Sequence, residues 1–274
     1  MGRSAPQELC GDLIMLRPRI IPCLLIHESG LVKTVGFKTP KYVGDPINAV
    51  KIFNEKETDE LIVVDIDATV DGAEPDYKLI ADMAAECRMP LCYGGGVRTA
   101  EQAKRIIGLG VEKVSISAAA LEDPSLITRI SDEIGRQSLV VVLDVKKRML
   151  SRDYDVCTHN GKKNTKRSVF EVALEAERLG AGEIVVNSID NDGQMKGYDL
   201  ALAEKLRKTV NIPITILGGA GSLDDIGQLI EHCGTIGAAA GSLFVFKGAY
   251  KAVLINYPTL SQRDEMIRAA LPRV

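Results

Sequence analysis

Two aligned strand ends in this chain offer different chemistry. The segment Arg19-Ile-Ile-Pro-Cys-Leu-Leu25 aligns with Ser138-Leu-Val-Val-Val-Leu-Asp144, and both are apolar runs typical of buried strands. Asp144 can take up or release a proton in a reaction, whereas Leu25 can do neither. A mechanism that requires two facing acids therefore lacks one of them here.

Two glycine clusters, Tyr93-Gly-Gly-Gly96-Val and Leu217-Gly-Gly-Ala-Gly221, each end a predicted strand and precede a predicted helix. Glycine lets backbone N–H groups approach a phosphate closely, and a helix N-terminus adds a favourable dipole. Two related clusters favour a substrate with a phosphate at each end over plain tight turns. Asp192-Gly193 fits a turn as well as a binding role. The predicted phosphate- and substrate-binding residues are Gly95, Gly96, Ser117, Asp192, Gly193, Gly218, Gly219, Gly241 and Ser242.

Four charged residues lie at the start of predicted strands, on the parity of the inward-facing residues above them. They are Arg19, Glu60, Lys113 and Glu183. Two cations and two anions that meet at the floor of a barrel can pair as a ring. Such a ring could simply cap the core, but aliphatic side chains would plug the floor without the cost of desolvating charges. The pattern is therefore also consistent with a gate.

The elements that must position these residues alternate regularly between strand and helix. Helical patterns with capping residues and terminal glycines separate the apolar runs, and eight such units predict an α/β (βα)8 TIM barrel. Pairs such as Glu60 and Glu183 share one offset (183 − 60 = 123), which indicates two fused half-barrels and is not expected of the alternative, an open doubly wound sheet. The predicted strands are 19–25, 60–66, 90–94, 112–117, 138–144, 183–188, 212–217 and 236–240, and the clearest helices are 45–57, 99–109, 123–134, 168–179 and 222–232.

An insertion follows the fifth predicted strand. Asn160-Gly161 lies between two extended segments, 154–159 and 162–165. Asn-Gly is a strong hairpin signal because both turn residues need positive φ. The sequence therefore predicts a β-hairpin at the carboxyl end of this strand, where barrel enzymes carry out their chemistry.

Composition limits the class of protein. The chain has 274 residues, 46% of them hydrophobic, and a net charge of −3, which predicts one barrel domain over 15–274 and no nucleic-acid or membrane partner. Residues 1–14 lack the order of a signal peptide and are predicted to be a disordered extension. The six cysteines show no metal-ligand spacing, so we predict a cytoplasmic protein with reduced thiols, no metal and no cofactor.

From Met15 to about residue 257 the chain resembles the cyclase subunit of imidazole glycerol phosphate synthase, a half-barrel enzyme of histidine biosynthesis. The matching stretches are Arg-Ile-Ile-Pro-Cys-Leu at 19, Tyr-Gly-Gly-Gly-Val at 93, Glu-Lys-Val-Ser-Ile-Ser at 112, His-Asn-Gly-Lys-Lys-Asn-Thr at 159, Gly-Ala-Gly-Glu-Ile at 180, Ser-Ile-Asp-Asn-Asp-Gly at 188 and Leu-Gly-Gly-Ala-Gly at 217. The resemblance implies a class I glutaminase docked on the barrel floor. It further implies that ammonia passes the four charged residues, as a gate, and crosses the barrel to a bisphosphate substrate.

The resemblance is weaker at the catalytic end. The family's two catalytic aspartates fall on Asp144, which is present, and on Leu25, which is not acidic. Its catalytic lysine, in a flexible loop after the first strand, is matched by Lys33. Its Asn-Thr phosphate donors after the fourth strand are replaced by Ser117-Ala118, whereas the opposite phosphate cradle is kept.

These features predict a divergent relative that pairs with a glutaminase and passes ammonia onward. Glu112, beside the gate lysine, resembles an acidic docking residue of the family. The resemblance implies that such relatives serve amidation of a surface-polysaccharide sugar by a third protein.

Three alternatives stay open. The first is an orthodox cyclase that makes imidazole glycerol phosphate and AICAR from PRFAR and ammonia, with Glu28 or Asp67 replacing the missing acid. The second is the related phosphoribosyl isomerase, which also needs an acid at position 25 but has no use for a floor gate. The third is a scaffold that only activates the glutaminase.

Overall fold

Eight parallel strands close into a barrel in the computed structural model, which describes residues 17–149, 151, 153–248 and 250–271. Each strand pairs with the next along the chain, and the eighth pairs with the first. The strands are β1 (Arg19–His27), β2 (Leu61–Asp65), β3 (Leu91–Gly94), β4 (Lys113–Ile116), β5 (Leu139–Lys147), β6 (Glu183–Ser188), β7 (Ile214–Leu217) and β8 (Gly237–Ala240). The predicted (βα)8 barrel is confirmed, and the predicted extension over 1–14 lies outside the described residues.

Helices cover the outside of the barrel. Several begin at predicted caps: Thr99 and Ser222 each form a capping box with the residue three positions on. The helices are α1 (Pro46–Glu55), α2 (Tyr77–Glu86), α3 (Ala100–Gly108), α4 (Ser125–Ile134), α5 (Val169–Leu179), α6 (Leu200–Thr209), α7 (Leu223–Cys233) and α8 (Leu260–Ala270), with shorter turns at Ala118–Glu122, Arg136–Ser138 and Ser242–Val245. Among the residues that the structure describes, no helix has the length and apolarity needed to cross a membrane.

The apolar core forms two layers because strand side chains alternate between the two faces of the sheet. The larger layer lies between the strands and the helices. The smaller layer fills the barrel interior and contains Ile21, Cys23, Ile62, Cys92, Val140, Val185 and Ala239. Residues 21, 23 and 25 of β1 thus face the axis, as the predicted parity requires.

The predicted hairpin follows β5 and is confirmed. Its strands, Tyr154–Thr158 and Lys163–Ser168, pair antiparallel, and the first also pairs with the outer end of β5. Asn160 and Gly161 have φ values of 54° and 74°, which is the left-handed conformation that the Asn-Gly signal predicts.

A second hairpin follows β1, where the family resemblance implied a flexible loop carrying Lys33. The structure places Lys33 in a paired strand of this segment: Gly30–Val35 pairs antiparallel with β1 and with Lys38–Gly44. The turn from β1 consists of Glu28 and Ser29, both with positive φ. Two turn residues with positive φ are typical of a tight hairpin. Glu-Ser, however, is not a dipeptide that usually predicts such a turn. The remaining short strands, Phe246–Lys247 and Ala252–Val253, pair with each other.

Candidate functional site at the barrel mouth and floor

A cavity of about 550 Å³ opens at the carboxyl ends of the barrel strands. Both glycine clusters, Leu25 and Asp144 line it. The structure brings every residue predicted for the catalytic and phosphate-binding groups to this cavity: Lys33, Asp144, Gly95, Gly96, Ser117, Asp192, Gly193, Gly218, Gly219, Gly241 and Ser242. Barrel enzymes bind their substrates at this face, so this cavity is the candidate active site.

The two glycine loops have equivalent backbone geometry on two sides of the cavity. Gly95 has φ +121° and its counterpart Gly218 has φ +99°, values that L side chains rarely adopt. A Cβ atom would lie 2.5 Å from the Asp65 carbonyl oxygen at Gly95 and 2.7 Å from the Ser188 carbonyl oxygen at Gly218. Each loop leads into a capped helix, α3 or α7, so both are suited to binding an anion through backbone N–H groups.

Asp144 is an acid of the cavity whose pKa suits proton transfer near neutrality. It lies on β5, on the opposite side of the barrel from Leu25 on β1. Burial raises the pKa of its carboxyl to about 7, Asn187 opposes the rise by donating a hydrogen bond, and the charge of Asp192 adds to it. The Asn187 Nδ2 to Asp144 Oδ1 distance is 3.0 Å. A group that titrates near neutral pH can serve as acid or base.

The raised pKa of Asp144 has a consequence for stability. Below its unfolded-state pKa the carboxyl is neutral in both states, and its contribution to stability is lost as pH rises through about 7. We therefore expect the stability of Asp144→Asn relative to the unchanged chain to increase by about 3 kcal/mol between about pH 5 and pH 8. Urea unfolding at the two pH values measures this growth, and a constant difference would contradict the shifted pKa.

Lys33 lies in the hairpin strand beside β1 with its ammonium group buried in the cavity wall. Its Nζ donates a hydrogen bond to the Cys23 carbonyl oxygen, and no carboxylate of the described residues lies within ion-pair distance of it. Burial lowers the pKa of Lys33, and the charges of Cys23 and Asp192 oppose this. A buried ammonium group without a carboxylate partner is suited to binding an anionic substrate group.

Asp192 holds the hairpin against the loop after β6. Its carboxylate accepts hydrogen bonds from Thr34 Oγ1 at 2.7 Å and from the Phe37 N–H at 3.1 Å. The residue borders the cavity, but both of these bonds are structural. The position of Asp192 is therefore explained by a structural role as well as by the predicted binding role.

The two acids considered as replacements for the missing aspartate do not line the mouth cavity. Asp67 instead holds the first hairpin turn, since it contacts His27 Nδ1 and accepts the Glu28 N–H, both at 2.8 Å. An acid that does border the cavity, and that the sequence analysis missed, is Asp65 at the end of β2. Its Oδ1 accepts the N–H groups of Asp67 and Ala68, and burial raises its pKa. Its position at the end of β2 was the available signal.

The four charged floor residues meet in one closed ring. Lys113 Nζ lies 2.8 Å from Glu60 Oε1 and 2.8 Å from Glu183 Oε2. Arg19 pairs with Glu60 and, at 2.7 Å, with Glu183 Oε1. Thr215 Oγ1 also donates to Glu183. The predicted ring geometry is therefore present, and the apolar interior layer lies directly above it.

Opposite charges control protonation within the ring. Burial alone would raise the pKa of Glu183, but Arg19 and Lys113 outweigh it and hold that pKa at about 2. Burial would likewise lower the pKa of Lys113, and the two glutamates raise it instead. The ion pairs thus favour the charged forms of Glu183 and Lys113.

The closed barrel, its two equivalent halves and the mouth cavity with paired glycine loops define a half-barrel member of the (βα)8 class. The chain belongs to the histidine biosynthesis protein family, whose model matches residues 19–251. The family expected from the sequence motifs is thereby confirmed.

Relatives in this family cover almost the whole chain. A Vibrio vulnificus (strain YJ016) protein, provisionally named imidazole glycerol phosphate synthase subunit hisF3, is 58% identical over 92% of this chain and 97% of its own length. A Leptospira borgpetersenii protein with a similarly provisional name, subunit HisF, is 55% identical over 92% of this chain and 99% of its own. The Lactococcus lactis imidazole glycerol phosphate synthase subunit HisF is 38% identical over 94% of this chain and 96% of its own. The chain is therefore similar to cyclase subunits of this synthase.

Proposed function

We propose that this chain is the barrel subunit of a glutamine amidotransferase complex that conducts ammonia without efficient cyclase chemistry of its own. A separate class I glutaminase docks on the barrel floor, and ammonia passes the ring and crosses the interior to the mouth. The observation that carries the proposal is the contrast between the two ends. Leu25 borders the cavity opposite Asp144, whereas the four-residue floor ring is complete.

The absence of an acid at position 25 is expected to lower the catalytic rate strongly. A positioned general acid or base contributes about 10²–10⁴ in rate, so a cyclase with one such group is severely impaired. The Ser117-Ala118 pair that replaces the family's phosphate donors costs less, about 1–3 kcal/mol of binding for a lost hydrogen bond. Substrate binding is therefore less affected than turnover.

The floor ring supports ammonia entry because its charges are costly to bury. Glu60 and Glu183 are 3% and 5% exposed, and a buried ring of charges is no more stable than apolar packing of the same volume. If the chain were a phosphoribosyl isomerase, such a ring would have no function. Glu112 supports docking at the barrel floor. Its exposed side chain lies beside Lys113, and one of its carboxylate oxygens accepts a hydrogen bond from the Leu91 N–H.

The destination of the ammonia rests on the family resemblance. We propose that a third protein uses it to amidate a sugar of a surface polysaccharide. A phosphorylated small molecule at the mouth fits the two glycine loops, and we propose that it regulates or receives the transfer.

Co-expression with a class I glutaminase tests the partnership. We expect a stable one-to-one complex on size-exclusion chromatography, weakened when Glu112 is replaced by lysine but not when the exposed Glu101 on α3 is. A chain that elutes alone whichever class I glutaminase is supplied would count against the complex.

A second candidate is the orthodox cyclase of histidine biosynthesis. The Lactococcus lactis relative supports it through its name, and Asp65 supports it because this acid borders the cavity. Measurement of imidazole glycerol phosphate formation separates the two candidates.

A further inference from the structure

Side chains connect β1 and β2 at the barrel floor, below the point where the two strands begin to pair. The backbone pairing starts at Cys23 and Ile62, and the same register places Ile20 opposite Asp59. There the Ile20 N–H donates to Asp59 Oδ2 at 2.9 Å, and the Tyr257 hydroxyl donates to the Ile20 carbonyl oxygen at 2.8 Å. Two side chains thus take the place of backbone ladder bonds between the strand ends.

Tyr257 bonds to both sides of this gap. Its hydroxyl also accepts the Asp59 N–H at 3.2 Å, so one phenol group contacts the backbone of both chain segments. The residue is 9% exposed, and its ring packs on Phe244 with 5.3 Å between the ring centroids. The chain after β8 therefore holds this hydroxyl in place at the floor.

Arg263 on α8 holds Asp59 by its second carboxylate oxygen. Its Nη1 pairs with Asp59 Oδ1, whereas the Ile20 N–H uses Oδ2. Its guanidinium group also lies 5.1 Å from the centroid of the Tyr257 ring. The Arg263 side chain is 4% exposed, so solvent ions screen this pair little. We call Asp59, Tyr257 and Arg263 the floor clamp.

The floor clamp lies next to two members of the charged ring. Arg19 directly precedes Ile20, and Glu60 directly follows Asp59. The gap that the clamp closes is therefore the gap that the ion pair between Arg19 and Glu60 spans. Apolar packing would attach α8 to the barrel without the cost of desolvating a charged pair. Attachment of the helix alone does not explain why this pair is directed at the strand ends.

We propose that the floor clamp positions the charged ring. Tyr257 and Arg263, acting through Asp59, fix the spacing between the two strand ends and so keep the Arg19 guanidinium paired with both glutamates. They are positioning residues, since their contacts reach the ring only through its backbone neighbours. The inference rests on the proposed function only in its consequence, which is that a loosened clamp alters the entry of ammonia.

The test uses the full chain, ¹⁵N-labelled at arginine, and measures by NMR the rotation rate of the Arg19 guanidinium, whose signals are assigned with Arg19→Lys. Two carboxylates hold this group in the unchanged chain, so its rotation should be slow. We expect Tyr257→Phe to speed the rotation about tenfold, because it removes the hydroxyl and keeps the ring. Arg263→Met should do the same, and Arg263→Lys, which keeps a cation beside Asp59, should restore slow rotation.

Tyr154→Phe is the matched control. It removes the 2.7 Å hydrogen bond from another buried phenol to Asp199, in the hairpin after β5, and so lowers stability without changing the floor. Equal Arg19 rotation in Tyr257→Phe and in the unchanged chain would overturn the inference, as would equally fast rotation in Tyr154→Phe. If Arg263→Met does not fold, Tyr257→Phe and Arg263→Lys are held to the same criteria.

A second measurement separates this inference from the proposed function. In a Leu25→Asp background with a class I glutaminase, Tyr257→Phe should lower the ratio of imidazole glycerol phosphate formed to glutamine hydrolysed, because ammonia escapes at a loosened ring. Faster Arg19 rotation with an unchanged ratio would leave the clamp standing and remove the gate. A lower ratio with unchanged rotation would remove the clamp and leave the gate standing.

Discussion

Replacing Leu25 with aspartate is expected to raise the rate of imidazole glycerol phosphate formation from PRFAR and ammonia by about 10²-fold. The new carboxyl would border the cavity opposite Asp144, whose pKa of about 7 already suits proton transfer. The gain should stay at the low end of the range for general acid–base catalysis if, as the family resemblance implies, Ser117-Ala118 provides a poorer phosphate cradle. Steady-state assays with ammonium chloride as the nitrogen source measure the gain without a partner protein.

Leu25→Asn is the matched control for this substitution. Asparagine has the size and polarity of aspartate but cannot take up a proton at this pH. An equal gain with asparagine would show that polarity or space at position 25, and not acid–base chemistry, limits the reaction. No gain with aspartate in a folded protein would contradict the view that the missing acid is what disables the site.

Replacing Lys113 with methionine is expected to lower the free energy of unfolding by about 3 kcal/mol. Glu60 and Glu183 would remain buried with Arg19 as their shared cationic partner. The depressed pKa of Glu183 means that the ring's stabilisation is present at neutral pH and is lost as pH falls from about 4.5 towards 2. In the variant that pKa rises, so the loss should begin at a higher pH, as urea unfolding across this range would show.

Lys104→Met is the control, because its ion pair with Glu133 joins exposed side chains and should contribute little to stability. The same Lys113 variant tests the gate when combined with Leu25→Asp and a glutaminase. We expect the ratio of imidazole glycerol phosphate formed to glutamine hydrolysed to change. Unchanged hydrolysis, transfer and stability together would show that the ring is neither a gate nor a structural support.

The strand period made the barrel and its floor predictable from sequence. Alternation places residues two apart on one face, so the inward position of Arg19 followed from the apolar run above it, and the constant offset between halves placed the partner charges. The hairpin at Asn160 followed from turn chemistry in the same way.

Features that depend on contacts between distant segments were not predictable. The turn at Glu28 and Ser29 lacks glycine, and Asp67 from the loop after β2 holds it in place. The hydrogen bond from Asn187 to Asp144 depends on the register of their strands, which a single sequence does not display. Asp65 was not predicted because its carboxylate is placed by hydrogen bonds from the backbone of the following loop, at Asp67 and Ala68.

The most direct measurement mixes the chain with its class I glutaminase, glutamine and PRFAR, and follows glutamate and imidazole glycerol phosphate together. We expect glutamate to accumulate while imidazole glycerol phosphate stays at or below about one-hundredth of it. Equimolar formation of the two products would contradict the proposed function and identify the chain as a working cyclase.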